Sequence, residues 1–461
     1  MLSDIEKEAL AFAVCITAYV LLLNLLFGYS DVWGSFYTRH AQMTFERGTT
    51  LYFDELSYLG RWFTYPPAFF EFGASIARIT DALFCTDYMA MHNWLHILSV
   101  FFFAASTYAL FFKYGRRERI LASLIFLSEC FVPMTATAIS LHIIALTLLN
   151  IGIIFIDKRR VISTISISLA FAFHPLTAFL FPFFLYAYRR FEIKKEEIVT
   201  YAYILIPALL LSSIFMLPII LRYGMPNEIV PTRWGYLSTY GFNGMQYQFQ
   251  FLIPLIIACA YGFLTKYRIQ TALLLLLVLI YAYISFRVDI ALTLLLASLF
   301  PSIFQDYIRS KYVWLAVMLF PLGNFVFIPI IYSGSTHWCV WGVANHMCLS
   351  PMRFINENTP SESRLAINPI YSHIETLFGR RPVLADLYVE YADEEKFLAQ
   401  DYFYNSTNIS VLEKYNITLF VLDDISYDWR EGTYKKRFLP IEEADRVYDN
   451  GFIHVFRKRY G

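Results

Sequence analysis

Apolar runs of about twenty residues, each long enough to cross a bilayer, fill the first two thirds of the chain and alternate with short basic clusters. The clusters are KYGRRER (113–119), DKRR (157–160), YRRFEIKKEE (188–197), TKYR (265–268) and RSK (309–311). The positive-inside rule puts all of them in the cytoplasm, and that assignment predicts an odd number of helices, about eleven. Helix 1 is expected at roughly 9–28, leaving the membrane outward, and helix 2 at roughly 92–112, returning to GRRER. Helices 3 to 6 are expected at roughly 119–138, 140–156, 161–173 and 175–188, then helices 7 and 8 at roughly 200–221 and 248–264. Helices 9 and 10 meet outside near FRVD (286–289), and helix 11, roughly 313–332, leads to an outside tail. YPPAFFEFGASIARITDALF (65–84) is apolar but carries Glu71, Arg78 and Asp81 and starts at a proline pair. It reads as an interfacial or re-entrant helix, with an ordinary span as the alternative.

From about residue 333 the pattern changes to that of a water-facing α/β unit. SRLAI, RPVLADL, ITLFVLDD and FIHVFRKR read as strands, and YSHIETLFG, ADEEKFLAQDYF and SVLEKYN as helices. The expected fold is therefore an α-helical polytopic membrane protein with a small extracytoplasmic α/β domain. Residues 1–332 form the membrane part, 29–91 its first external loop, and 333–461 the tail. Sequons at Asn405, Asn408 and Asn416 suit an external tail, as does a disulfide between Cys339 and Cys348.

Composition agrees with a membrane location. Of 461 residues 57% are hydrophobic and only 16% charged, low for a soluble domain of this length. A formal net charge of zero argues against nucleic-acid partners. MLSDIEKEAL carries mixed charge ahead of a long apolar run, so helix 1 is expected to be start signal and anchor rather than a cleaved leader.

The candidate chemistry lies in the loop that opens with Asp31. A carboxylate there has a plain alternative, a solvated helix end. The rest of the loop is unusual for a connector: Trp33, Tyr37, Arg39 and His40, then FERGTTLYFDELSYLGRWFTYPP with Asp54, Glu55, Arg61 and Tyr65. Arg287 closes helix 9 at the outer interface, where a cation is costly unless it snorkels or meets an anion. Asp289 is its alternative salt-bridge partner. His174 precedes a proline at the outer turn of the short helix 5, and Glu129 lies inside helix 3.

Asp31, Tyr37, Ala41, Gly48, Leu51-Tyr52, Asp54, Gly60-Arg61 and Tyr65-Pro66-Pro67 form a pattern that resembles the GT-C superfamily of membrane glycosyltransferases. Fainter likeness continues through FHPLTAFLFPFFL (173–185), and the tail is similar to the external domain of archaeal members. The resemblance implies transfer of a sugar from a polyprenyl (dolichyl) phosphate to a glycan, lipid or protein acceptor at the outer face. It makes Asp31 the general base; for the cation that meets the donor phosphate Arg287 is favoured, with Arg61 and His174 as further candidates. Tyr37, His40, Asp54, Glu55 and Tyr65 would belong to the substrate loop. An oxocarbenium-like transition state needs only a carboxylate to take the acceptor proton and a cation for the leaving phosphate.

Two departures narrow the reading. After helix 3 the chain reads TATAISLHII, with His142 and no acid, where oligosaccharyltransferase catalytic subunits carry a second acidic motif. HWCVWGVANH in the tail lacks the Asp of their Trp-Trp-Asp motif. A divalent ion needs several oxygen ligands, so metal-free transfer of one sugar is expected, with no metal site and no cofactor. The competing readings are an oligosaccharyltransferase-like enzyme, a non-catalytic polyprenyl-phosphate-binding relative, and a lipid or solute transporter. Against the last, no inverted repeat is visible.

Overall fold

A first helix, α1 (Asp4–Phe27), opens the computed structural model, with Asp4 and Glu6 in its first turn where the helix dipole favours acids. The structure describes residues 4–27, 30–50, 53–63, 68–84, 88–129, 141–174, 180–193, 195–223, 249–284 and 288–307. It also describes 312, 314–315, 317–319, 321–323, 343–344, 346–386, 393–406, 408–423, 425–428, 433–436, 441 and 443–459. After α1 come β1 (Ser30–Asp31), α2 (Val32–Arg47), the short hairpin β2 (Phe53–Asp54) and β3 (Arg61–Trp62), and α3 (Ala68–Phe84).

The helical core continues with α4 (Tyr88–Leu110), α5 (Arg116–Glu129), α6 (Leu141–Ile154), α7 (Arg160–Phe173), α8 (Phe181–Arg189) and α9 (Lys195–Tyr223). It ends with α10 (Phe249–Leu264), α11 (Arg268–Ile284) and α12 (Val288–Tyr307). Among the described residues two stretches, Asp4–Leu25 and Glu197–Phe215, are long and apolar enough to cross a membrane by length and composition. Leu210, Ile214, Leu217 and Leu221 on α9, with Leu276 and Leu279 on α11, stand exposed on the outside of the bundle. Apolar surface of that kind suits lipid better than water.

Inside, small and polar residues bring helices together, as packing without a hydrophobic drive requires. A Cβ at Gly152 of α6 would come within 2.6 Å of Ile167 on α7, so only glycine permits this approach. Ser163 Oγ donates to the Gly152 carbonyl at 2.7 Å, and Asn150 Nδ2 donates to Ser106 and Thr107 at 3.1 Å each.

Four of the basic clusters share one end of the bundle. Glu8 pairs with Arg116 and Arg119, Glu118 with Arg190, Arg189 with Asp157 and Glu197, and Lys266 with Glu192. The first loop lies at the other end of α1, about 36 Å away for a helix of this length. The RSK cluster falls outside the described residues.

The tail holds β4 (Val343–Ala344), α13 (His346–Asn358), β5 (Leu365–Ile367) and α14 (Pro369–Ile374), which runs into a π-helical turn over Glu375–Gly379. Then come α15 (Glu394–Ser406), a 3-10 turn over Ile409–Tyr415, and β6 (Leu419–Asp423). The hairpin β7 (Ile425–Asp428) and β8 (Thr433–Lys436), then β9 (Ala444–Asp449) and β10 (Ile453–Lys458), complete it. One sheet has the order β5-β6-β10-β9, with β5 and β6 parallel and the other pairs antiparallel. Strand alternation sorts its side chains into two cores. Leu365, Ile367, Leu419 and Val421 pack with Met352, Ile355 and Tyr371 on one face. Ala366 and Phe420 pack with Phe403, Ile409 and Leu412 on the other.

Several expectations shift. RPVLAD forms only an isolated bridge, Leu365 to Val383, beside β5, and the other side of its backbone bonds to the first loop. SVLEKYN is a 3-10 turn rather than an α-helix, and α13 and β9 arise where no element was expected. Residues 68–84 form a helix with its own polar contacts. Glu71 accepts from the Thr50 amide and hydroxyl, both at 3.1 Å, and Arg78 donates to the Thr44 carbonyl at 3.1 Å. Cys339 lies outside the described residues.

Candidate functional site

Asp31 ends β1 and directly precedes α2. Its backbone pairs with Val343 while Ser30 pairs with Ala344, so a strand of the tail grips the chain where α1 gives way to the loop. α2 then runs across the loop's interior, because Phe36, Tyr37 and Ala41 share one apolar side with Phe63, Phe69 and Phe70. Phe173 at the end of α7 meets Phe69 at 6.1 Å and Phe72 at 5.7 Å, which seats the loop on that helix end.

Under this aromatic layer lies a buried polar cluster. Arg39 and Asp54 form a close ion pair, their side chains only 6% and 2% exposed. Asp54 also accepts the Leu56 amide at 3.1 Å, and its second oxygen lies 3.9 Å from His40 Nε2. Burial alone would raise the Asp54 carboxyl, but the Arg39 guanidinium and the other partners outweigh it and hold it at about 2. Burial, with Arg39 alongside, pushes His40 well below its ordinary value, leaving a neutral ring stacked on Phe63 at 4.2 Å and 16°.

The hairpin turn between β2 and β3 leaves the loop and enters the tail. Tyr58, Leu59 and Gly60 take φ values of 51°, 56° and 114°, a left-handed run that non-glycine residues adopt at a cost. The tail holds it there. Tyr58 packs with Ala385 and Phe397, and Leu59 reaches the core around Phe403. Val383 accepts from the Leu59 amide at 2.9 Å and donates to the Leu56 carbonyl at 2.8 Å. Asp386, 2% exposed, accepts from Arg61 at 3.0 Å and from the Ser57 hydroxyl, and Tyr58 Oη donates to its carbonyl at 3.0 Å.

The expected site residues thus fall into distinct places. Tyr37, His40 and Asp54 are interior residues of the loop, and Glu55 is exposed. Arg61, expected at a donor phosphate, has its guanidinium on Asp386 and over the Tyr58 ring at 4.5 Å. His174 caps α7 and lies ring to ring with His142 at 4.2 Å, beside the loop-facing Phe173. Arg287 and Tyr65 lie outside the described residues, and of Asp31 the backbone alone is described. Among the described residues no three His, Cys, Asp or Glu side chains converge into a metal cage.

Sequence reasoning missed Asp386, Ser57 and His373. The acid at the end of RPVLAD was the one visible signal, and nothing in the sequence ties it to a loop 325 positions earlier.

No family model and no curated protein matches the sequence. Solved structures do. The oligosaccharyltransferase AglB of Archaeoglobus fulgidus, solved with an inhibitory peptide and a dolichol-phosphate, is 14% identical. The match covers 91% of this chain and 70% of that one, with a TM-score of 0.54. The oligosaccharyltransferase of the same organism in complex with Zn and sulfate matches at 14% identity, covering 89% and 68%, with a TM-score of 0.53. The chain shares the fold of these oligosaccharyltransferases. Identity this low shows a shared fold and nothing finer.

Proposed function

We propose that this GT-C chain is a membrane glycosyltransferase that moves a sugar from a polyprenyl phosphate to an acceptor hydroxyl, with Asp31 as general base. One observation carries the reading. Asp31 stands between α1 and α2, at the end of the bundle away from the linked basic clusters, and its backbone is held by β4 of the tail. Helix end, loop and tail therefore converge on the carboxylate that the GT-C resemblance makes the general base.

In this mechanism the acceptor oxygen attacks the anomeric carbon from the face opposite the phosphate, and its proton passes to the Asp31 carboxylate. The new bond is carbon to acceptor oxygen, and the bond broken is carbon to phosphate oxygen. The polyprenyl phosphate leaves with the electron pair, and the configuration inverts. Arg287 meets the growing phosphate charge at the headgroup level, with His174 at the loop end of α7 as a second candidate. The AglB relative solved with a dolichol-phosphate supports a lipid phosphate as the donor class. The basic clusters would face the cytoplasm, which places the loop and tail outside.

The test is turnover. Purified chain in lipid nanodiscs, given labelled polyprenyl-phosphate sugars and hydroxyl acceptors, should release polyprenyl phosphate and an inverted product. Tight donor binding without release would mean a non-catalytic binder. Turnover only with a diphosphate-linked oligosaccharide would mean an oligosaccharyltransferase.

A further inference from the structure

The tail's sheet does not end at β5. The segment 382–386 runs beside that strand, with the Leu365 amide donating to the Pro382 carbonyl at 2.9 Å and the Leu384 amide to the Leu365 carbonyl at 2.8 Å. On its far side, Val383 exchanges both backbone hydrogen bonds with Leu56 and Leu59 of the first loop. The loop thus covers a sheet edge that would otherwise stand open, the arrangement by which an added segment joins a sheet. Lys396 of α15 adds a bond to the Tyr58 carbonyl at 2.8 Å.

Asp386 sits at the end of this seam. Its two carboxylate oxygens take one partner each from the loop, Ser57 and Arg61, in a site 2% exposed. A buried carboxylate needs such partners, and they in turn fix the left-handed turn between them. The constraint then passes back toward Asp31. Asp54 opposes Arg61 in the hairpin register and is ion-paired to Arg39 of α2, while Phe63 stacks on His40 of the same helix. A hairpin anchored in the tail therefore anchors α2, whose first residue comes directly after Asp31.

We propose that Asp386 is a positioning residue, a latch by which the tail fixes the first loop and, through α2, the place of Asp31. The catalytic half of this proposal rests on the reading of Asp31 as the base. It gives the tail a task in the reaction that needs no contact with donor or acceptor.

The experiment uses the full chain in nanodiscs and two readouts. In Asp386→Asn, amide exchange across residues 53–62 and along α2 should accelerate, and transfer kcat should fall on the order of 100-fold, as for a displaced catalytic group. The donor KM should stay within about twofold, because ground-state binding is untouched. Ser57→Ala should move both readouts the same way by less, and Asp386→Glu should restore part of kcat. If Asp386→Asn does not fold, Ser57→Ala and Arg61→Lys decide on the same readouts. Unchanged exchange overturns the latch, and faster exchange with intact kcat overturns its role in positioning. A wild-type chain that transfers no sugar from any lipid phosphate sinks the functional reading instead, and exchange alone then decides whether the latch exists.

Discussion

Phe36 of the loop and His373 of the tail pack ring against ring, with centroids 4.8 Å apart and planes at 49°. Both are buried, so the imidazole sits inside the joint between two segments far apart in sequence. Burial lowers His373 to about 4; Asp386 opposes the shift, while Arg61 and Arg39 reinforce it. The folded value lies below the ordinary 6.5, so the neutral ring favours the closed joint. That stabilisation is complete above 6.5 and is lost as pH falls toward 4, a change of roughly 3 kcal/mol. Thermal unfolding followed from pH 7.5 to 4.5 should show the wild-type midpoint losing ground against that of His373→Phe as pH falls. His40 is shifted the same way. A difference between the two midpoints that ignores pH over this range would contradict the assignment.

The Arg39–Asp54 pair should behave as a unit. Removing one member strands the other charge in a site almost closed to water. Arg39→Met or Asp54→Leu alone should therefore cost about 3–5 kcal/mol. The double variant should recover most of the loss, since two apolar side chains of similar volume need no partners. Denaturant unfolding of the two singles and the double would check this, and purely additive losses would show that the pair is not coupled.

Glu375, in the π-helical turn, has no exposed surface, and burial pushes its carboxyl up to about 8 against the pull of Arg381. The folded value exceeds the ordinary 4.5, so the protonated acid favours the fold. Its contribution is whole below that value and disappears as pH rises through 8. Glu375→Gln should remove a loss of stability that in the wild type runs from about pH 4.5 up to about pH 8. Equal slopes of stability against pH in wild type and variant over this range would refute it.

How much of the fold is legible in the sequence depends on where each signal resides. The apolar runs that become α1, α4, α7, α9 and α10 are readable because each is continuous in the chain and ends at charges or prolines. SRLAI, ITLFVLDD and FIHVFRKR are readable for a related reason: they are buried on both faces and so nearly unbroken. β9 escaped because only its first residue, Ala444, is buried. α13 escaped because it mixes polar residues with Pro351. Asp31 stands out because it abuts a helix end in the chain itself. The Asp386 seam was hidden because Ser57, Arg61, Val383 and Asp386 form one site only after the tail folds onto the loop. Local patterns carry no record of such a meeting.

Asp31→Asn is the substitution that bears most directly on the chemistry. Asparagine keeps the size and shape of the side chain but cannot take a proton, so the acceptor would have to attack with its hydroxyl intact. The loss therefore falls on the transition state, and kcat should drop by several orders of magnitude while donor binding stays close to wild type. Arg287→Ala should differ in kind. A cation that meets the donor phosphate acts in the ground state as well, so donor affinity and kcat should fall together. Isothermal titration with a polyprenyl phosphate, beside single-turnover transfer, separates the two patterns. Near-full transfer by Asp31→Asn would remove it as the base. A donor affinity unchanged in Arg287→Ala would pass the phosphate to His174, which lies ring to ring with His142 at the loop end of α7.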